Sequence, residues 1–388
     1  MAKKTEEKED IKINPEVSKN LLGALLNGNK DKHFNFDKVP PTIIPSGSLI
    51  IDSCVTVKTG TTIRMGGPAE VGKTSQALLF ADNYMKTMPK SKAIYVNAES
   101  KLSEELLGRT GMKFVYTNDE WDYGTVFVYE TNVFDAVCNT LAPILKTAYE
   151  QGEHVAIIID SVDMLTLASS QTNPIGEGKR PAGVNYLTKE MFRIIAPQIR
   201  AYNALLIMIT QYSAVFSLDP YAKKVPQMME GNNTHALNHQ SSCALYYRPR
   251  TKSNYIMENP DPKKAPDLKD NKILGLYATI DVRKSATDNT GYTIEVPIIK
   301  GRIGSAIWVE KEVADLVLAY ELALSKVAWI TFDANIIKEA AKSGVEIKEK
   351  INGINQLYEY LSDNKAVLNW LKGKVESITK LRLQIAEA

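Results

Sequence analysis

Cysteine is scarce in this sequence: three residues of 388, Cys54, Cys138 and Cys243. So odd and sparse a set argues against a disulfide framework, and reduced thiols are expected. Long apolar runs are missing as well. No segment approaches the roughly 20 apolar residues that span a bilayer. The opening Met1 to Asp10, MAKKTEEKED, is a mixed-charge run without the apolar stretch of a secretory signal. A soluble, cytoplasmic protein with no membrane partner is the expectation. Nor does one sign of charge dominate, since the formal net charge is only +2. A near-neutral total neither predicts nor excludes nucleic acid binding, which depends on local basic patches. What is present is ordinary globular composition, 44% hydrophobic and 24% charged. The length suits one large α/β core with small appendages.

Periodicity divides the chain into three parts. Asn14 to Asn27 place apolar residues at helical spacing, and the polar stretch Gly28 to Asp37 reads as a linker, giving a small N-terminal helical element over 1–40. Over 41–310, β-rich apolar runs alternate with helical patterns, as in a largely parallel sheet covered by helices. The strand candidates are Thr62 to Met65, Ala93 to Asn97, Val155 to Ile159, Leu205 to Ile209, Ala244 to Tyr247 and Leu276 to Val282. Several are near-continuous apolar runs, which suits parallel strands buried on both faces. From 311 to 388 the chain turns helical and Lys-rich with no obvious strand, so a small α-helical C-terminal domain is expected.

The sharpest signal is Gly67-Pro68-Ala69-Glu70-Val71-Gly72-Lys73-Thr74, followed by Ser75. It fits the G-x-x-x-x-G-K-[ST] phosphate loop and lies, as such a loop must, between a strand candidate and a helical pattern. Its glycines let successive backbone N–H groups face phosphates, Lys73 adds a point charge at the outer phosphates, and the Thr74 hydroxyl suits Mg²⁺. A nucleoside triphosphate with Mg²⁺ is the implied ligand. Asp160 ends the apolar run Val155 to Ile159, where a carboxylate can orient the metal's shell. Glu99 follows the run ending at Ala98, at the strand end where a general base for hydrolysis would stand. Gln211 closes the run Leu205 to Ile209 with a polar amide suited to a γ-phosphate. His235, His239 and Cys243 recur every four residues, but no fourth ligand is evident, so they are not read as a zinc site.

Upstream, Ile44-Pro45-Ser46-Gly47-Ser48-Leu49-Ile50-Ile51-Asp52 resembles the I-x-x-G-S-x-x-x-D segment leading into the ATPase core of RecA-type recombinases. Gly67 through Thr74 resembles that family's G-P-E-x-x-G-K-T, Ala98-Glu99 its water-activating glutamate, Asp160-Ser161-Val162 its D-S-V ending and Gln211 its allosteric glutamine. The resemblance covers roughly 40–310. Looser matching at the ends and the lack of an acidic tail bring the chain nearest to phage recombinases of the UvsX type, which would place it in a host cytoplasm. It implies a RecA-like P-loop core, ATP and Mg²⁺ as cofactors, and DNA-dependent ATP hydrolysis. It also implies filaments of identical subunits on single-stranded DNA, pairing with double-stranded DNA, and single-strand-binding or loader proteins as further partners.

The same resemblance implies two DNA-binding loops. Ser170 to Val184 supplies Lys179 and Arg180, and the following helix carries Arg193 where the family places a DNA-contacting arginine. Tyr212 to Asn233 carries Phe216, at the family's spacing for a side chain inserted between base triplets, with Lys223 and Lys224. Arg283 and Lys284, without an obvious carboxylate partner in their own run, are the nearest equivalents of the lysines that reach a neighbouring subunit's phosphates. The sequence departs from the family at two places. The positions matching the family's adenine-facing aromatics are Leu106 and Ile299, and the lysine closing the second loop is replaced by Asn238. The alternatives are a RecA-fold replicative ring helicase, for which no primase-binding or collar domain is apparent, and an ATP-binding mediator without strand exchange, against which intact Lys73, Glu99 and Asp160 speak.

Overall fold

A computed structural model describes residues 15–28, 40–168, 183–215, 227–230, 237, 240–259, 261, 264–267, 269–285 and 290–386, with backbone alone at 15–18, 183–190, 213–215, 227–230 and 380–386. It divides into two units, Met1–Pro40 and Pro41–Ala388. In the first, helix α1 (Pro15–Gly28) occupies the stretch where helical spacing was read, and Leu21, Leu22 and Leu25 are exposed on it.

The second unit opens with α2 (Leu49–Cys54), then β1 (Thr61–Gly67), α3 (Lys73–Thr87), β2 (Ser91–Asn97), α4 (Glu104–Gly108), β3 (Lys113–Val115) and β4 (Thr125–Tyr129). It continues with α5 (Phe134–Glu150), β5 (His154–Asp160), α6 (Gly183–Ala201), β6 (Leu205–Val215), β7 (Gln227–Glu230), β8 (Cys243–Tyr247), β9 (Tyr255–Met257), β10 (Ile273–Lys284) and β11 (Thr293–Ile299). All six strand candidates lie in β1, β2, β5, β6, β8 and β10. The main sheet runs β11-β10-β8-β1-β6-β5-β2-β4-β3, with β7 on β6 and β9 on β10. From β8 to β3 every neighbouring pair on this path is parallel, while β9, β10 and β11 form an antiparallel extension. The fold is thus α/β with a large, largely parallel sheet.

The composition of the parallel strands follows from burial on both sides. Successive residues of a strand face opposite ways, yet Ile157, Ile158 and Ile159 are all fully buried. Helix α3 packs on β1, β2, β5 and β6, and α5 and α6 pack on each other and on the strands β5 and β1 respectively. The three cysteines are unpaired, and burial pushes the Cys243 thiol inside β8 up to about 12. No helix among the described residues is long and apolar enough to cross a membrane.

Beyond Glu310 the all-helical expectation fails. Between α7 (Val309–Ala319) and α8 (Ala334–Lys342) lie β12 (Ala323–Lys326) and β13 (Trp329–Phe332), and β14 (Lys350–Asn352) joins them in a three-stranded antiparallel sheet. Helices α9 (Ile354–Asp363) and α10 (Lys365–Ala386) complete the region. Its core includes Leu49 from α2 and Trp308. Buried Glu312 on α7 accepts the Ser48 hydroxyl and the backbone N–H groups of Leu49 and Ile50, both at 3.1 Å. Those N–H groups open α2 and have no partner within the helix, so the carboxylate fastens the C-terminal region to the start of the core.

Candidate functional site

Strand register sets the site. Gly67 at the end of β1 pairs with Gln211 on β6, and Asn97 at the end of β2 pairs with Asp160 on β5. β1, β2 and β5 therefore reach their carboxyl ends on the same side of the sheet, while β6 continues four residues past Gln211 to Val215, where β7 pairs with it. β1 has β6 on one side and β8 on the other, so the chain leaves it at a point where strand order changes direction. Such an edge is where open α/β sheets collect ligands.

The turn after β1 needs its glycines. A Cβ on Gly67, at φ 148°, would stand 2.5 Å from the Tyr247 carbonyl oxygen, and one on Gly72, at φ 97°, would stand 2.5 Å from Ile298 Cδ1. Gly72 caps α3 in the left-handed conformation, so Lys73 and Thr74 form the helix's first turn, whose N–H groups have no carbonyl partner inside the helix. Lys73 Nζ donates to the Gly67 carbonyl at 2.9 Å and to that of Pro68. Its burial lowers the ammonium to about 8, against the pull of Asp160, Glu99 and Asp163. A charge held in that strained state gains by meeting an anion.

Asp160 collects two hydroxyls: Thr74 Oγ1 and Tyr95 OH each donate to its Oδ2 at 2.7 Å. Burial raises its carboxyl above the usual range in spite of those bonds. Glu99 is gripped differently. Lys101 Nζ lies 3.0 Å from Oε2 and the Gln211 amide donates to Oε1. Burial would raise this carboxyl too, but the Ser161 hydroxyl beside it, Lys101 and Gln211 outweigh that and hold it below the ordinary range. Asp163 accepts the Gln211 backbone N–H at 2.6 Å, so the glutamine is held by two carboxylates. An ionised Glu99 is what a proton acceptor requires, provided one of its present partners yields.

Beside this cluster opens a cleft of about 620 Å³. Glu70, Gly72, Lys73, Thr74 and Ser75 line its polar end, with Lys101, Arg109 and Arg250; Leu106, Tyr255, Leu276, Ile298 and Ile299 supply apolar wall. Arg109 donates to Ser75 Oγ at 3.3 Å, and Arg250 bonds Glu70 at 2.6 Å. Leu106 and Ile299, the two positions flagged in the sequence, thus meet in one cleft.

Lys73, Thr74, Asp160, Glu99 and Gln211 come together as the sequence reading required. Arg283 and Lys284 end β10 away from this cleft's lining. The guanidinium of Arg283 lies 3.8 Å over the Tyr246 ring, which stacks on Tyr212, the residue after Gln211. Asp281, one residue before the run Val282 to Ser285, is held below its usual range against burial by the Arg248 and Thr293 contacts, with a smaller contribution from the charge of Arg283. Arg193 is exposed on α6. Lys179, Arg180, Phe216, Lys223 and Lys224 lie outside the described residues, as do His235 and His239. Sequence reasoning missed Tyr95, Asp163, Arg109, Arg250 and Tyr255. Asp163 stands three residues from Asp160 and Tyr95 four from Glu99, whereas Arg250 and Tyr255 come from a stretch with no motif.

No family model matches this chain, and no curated protein matches it.

Proposed function

We propose that this protein is an ATP-hydrolysing recombinase of the RecA type, acting as a filament on single-stranded DNA to pair it with homologous duplex. The observation that carries the reading is the convergence of Lys73, Thr74, Asp160, Glu99 and Gln211 at one sheet edge beside a cleft of nucleotide size. A bare phosphate loop occurs in many enzymes. A glutamine within β6 bonded to the candidate base, four residues before the end of a strand that leads into a segment bearing Phe216 and two lysines, is what links hydrolysis to DNA in this reading.

In the mechanism, the loop N–H groups and Lys73 hold the β- and γ-phosphates. Thr74 and Asp160 are hard oxygen donors already within 2.7 Å of each other, a set that fits Mg²⁺ completed by waters and phosphate oxygens. The metal, when bound, neutralises charge on the phosphates. Tyr95 fixes the Asp160 carboxylate by occupying Oδ2. Glu99 accepts the proton of the attacking water once Gln211 turns from it to the γ-phosphate. That exchange of partners moves the start of the Tyr212 to Asn233 segment, so nucleotide state is passed to the DNA-contacting loop. Lys179, Arg180 and Arg193 would hold DNA phosphates, and Phe216 would separate bases. Arg283 and Lys284 would reach the neighbouring subunit's γ-phosphate.

Electron microscopy of the protein with single-stranded DNA and a slowly hydrolysed ATP analogue tests this directly. Helical filaments are expected. Closed hexameric rings would favour the replicative helicase, and DNA-independent ATPase with neither assembly would remove DNA from the reading.

A further inference from the structure

The cleft contains one aromatic side chain among the described residues that line it, Tyr255, which is half-buried there. Among the described residues its hydroxyl has no hydrogen-bond partner and its ring no ring or cation contact. A half-buried tyrosine normally spends its ring on packing and its hydroxyl on a bond, so this placement calls for a ligand.

Strand register shows how the ring is aimed. Across the antiparallel extension Leu276 pairs with Tyr255 on one side and with Ile298 on the other. Residues directly opposite in antiparallel strands share a face, so Ile298, Leu276 and Tyr255 form one apolar row, and all three line the cleft. The row begins at the phosphate loop, because Ile298 Cδ1 is the atom that a side chain on Gly72 would strike. Two strand spacings of about 4.8 Å then carry it roughly 10 Å outward to Tyr255. A nucleotide covers a comparable reach between its phosphates and its base.

The segment is also anchored. Asn254 Nδ2 donates to Thr279 Oγ1 at 3.1 Å, and Thr251 and Asn254 close a reciprocal cap on the turn before Tyr255. Arg250, five residues upstream, bonds Glu70 of the phosphate loop at 2.6 Å. One short stretch, 250–255, therefore touches the loop at one end and presents the ring at the other.

We propose that Tyr255 is the aromatic wall on which the nucleobase of a bound nucleoside triphosphate stacks. The proposal rests on the nucleotide reading above and deepens it by naming what holds the base. Aromatic faces accept any base, so Tyr255 adds affinity for a base without choosing which base.

Calorimetric titration of the full chain with Mg²⁺–ATP and, separately, with Mg²⁺–tripolyphosphate separates the base from the phosphates. Tyr255→Ala should bind ATP roughly tenfold or more weakly, as expected for loss of one stacked base, and bind tripolyphosphate as wild type does. Tyr255→Phe should retain wild-type ATP affinity. Lys73→Ala should weaken both ligands, and an unchanged response there would overturn the phosphate reading rather than the stacking one. Unaltered ATP affinity in Tyr255→Ala, or equal loss of both ligands in it, would overturn the stacking proposal. So would a wild-type protein that binds tripolyphosphate and gains nothing from the base.

Discussion

The parallel half of the main sheet and its antiparallel extension face the same cleft but contribute opposite things. Strands β1, β2, β5 and β6 end in Gly67, Asn97, Asp160 and, within β6, Gln211, so the parallel half supplies charge and hydrogen bonding at the carboxyl edge. Strands β9, β10 and β11 lay residues across the cleft broadside, and theirs are Tyr255, Leu276 and Ile298. Direction explains the division. Parallel strands all point their ends, with the loops that follow, at one edge, whereas an antiparallel ladder offers a continuous side-chain surface. In the proposed function chemistry belongs to the first half and shape to the second, with one exception in Arg283 and Lys284, which end β10.

That exception gives the largest expected effect. If Lys284 completes a neighbour's site, Lys284→Ala should lower DNA-stimulated ATP turnover on the order of 10³-fold, as for a lost arginine finger. Mixing it with Lys73→Ala subunits, also inactive, should restore part of the turnover, since some interfaces then pair an intact loop with an intact Lys284. Co-assembled but silent mixtures would place Lys284 inside its own subunit and return all chemistry to the parallel half. Next comes Glu99→Gln, which should cut turnover on the order of 10²-fold with ATP binding kept. Turnover that barely changes would mean another group takes the proton.

Legibility followed the same division. The parallel strands were readable because burial on both faces demands apolar runs, and the candidate site was readable because a phosphate loop calls for residues of the types at Gly67, Gly72, Lys73 and Thr74 in that order. In β10 buried and half-buried positions interleave, and only its apolar middle, Leu276 to Val282, stood out. β9 has three residues. Tyr255 and Arg250 had no signal because their roles depend on which strand lies beside which, and pairing between distant segments is not written in local periodicity.

A smaller effect follows from the buried ammonium. Lys73 titrates at about 8 in the free site, so below that pH it is charged and above it the site loses its proton. Bound phosphate favours the charged form and raises that value. Binding above pH 8 therefore takes up a proton, and ATP affinity should fall by up to about tenfold per pH unit until the complex itself begins to titrate. Lys73→Arg, if it binds, should show a flat profile from pH 7 to 9.5, because a guanidinium keeps its charge. A wild-type profile equally flat would show that Lys73 keeps its proton through this range and that burial does not lower it to about 8.

The smallest effect lies where local sequence and fold disagree, in the C-terminal hairpin that the helical reading overlooked. Lys326 pairs with Trp329, so β12 and β13 are joined by the two-residue turn Val327-Ala328. Two-residue hairpin turns of the kind with positive φ at the first central residue favour glycine there, and no such residue marked this one. Val327 instead takes φ 55° with its side chain fully exposed, and Ala328 is not among the positive-φ residues. A β-branched residue in that region is strained by about 1–3 kcal/mol, with no burial to offset it. Glycine removes the strain but loosens the unfolded chain, which takes back roughly half to one kcal/mol. Val327→Gly should therefore stabilise the protein by about 1 kcal/mol, while Ala328→Gly, at a position with no strain to relieve, should destabilise it. Chemical denaturation of the two variants checks the sign of each. If Val327→Gly is no more stable than wild type, the strain is absent, and the hairpin would then conform to its sequence as closely as the parallel strands do.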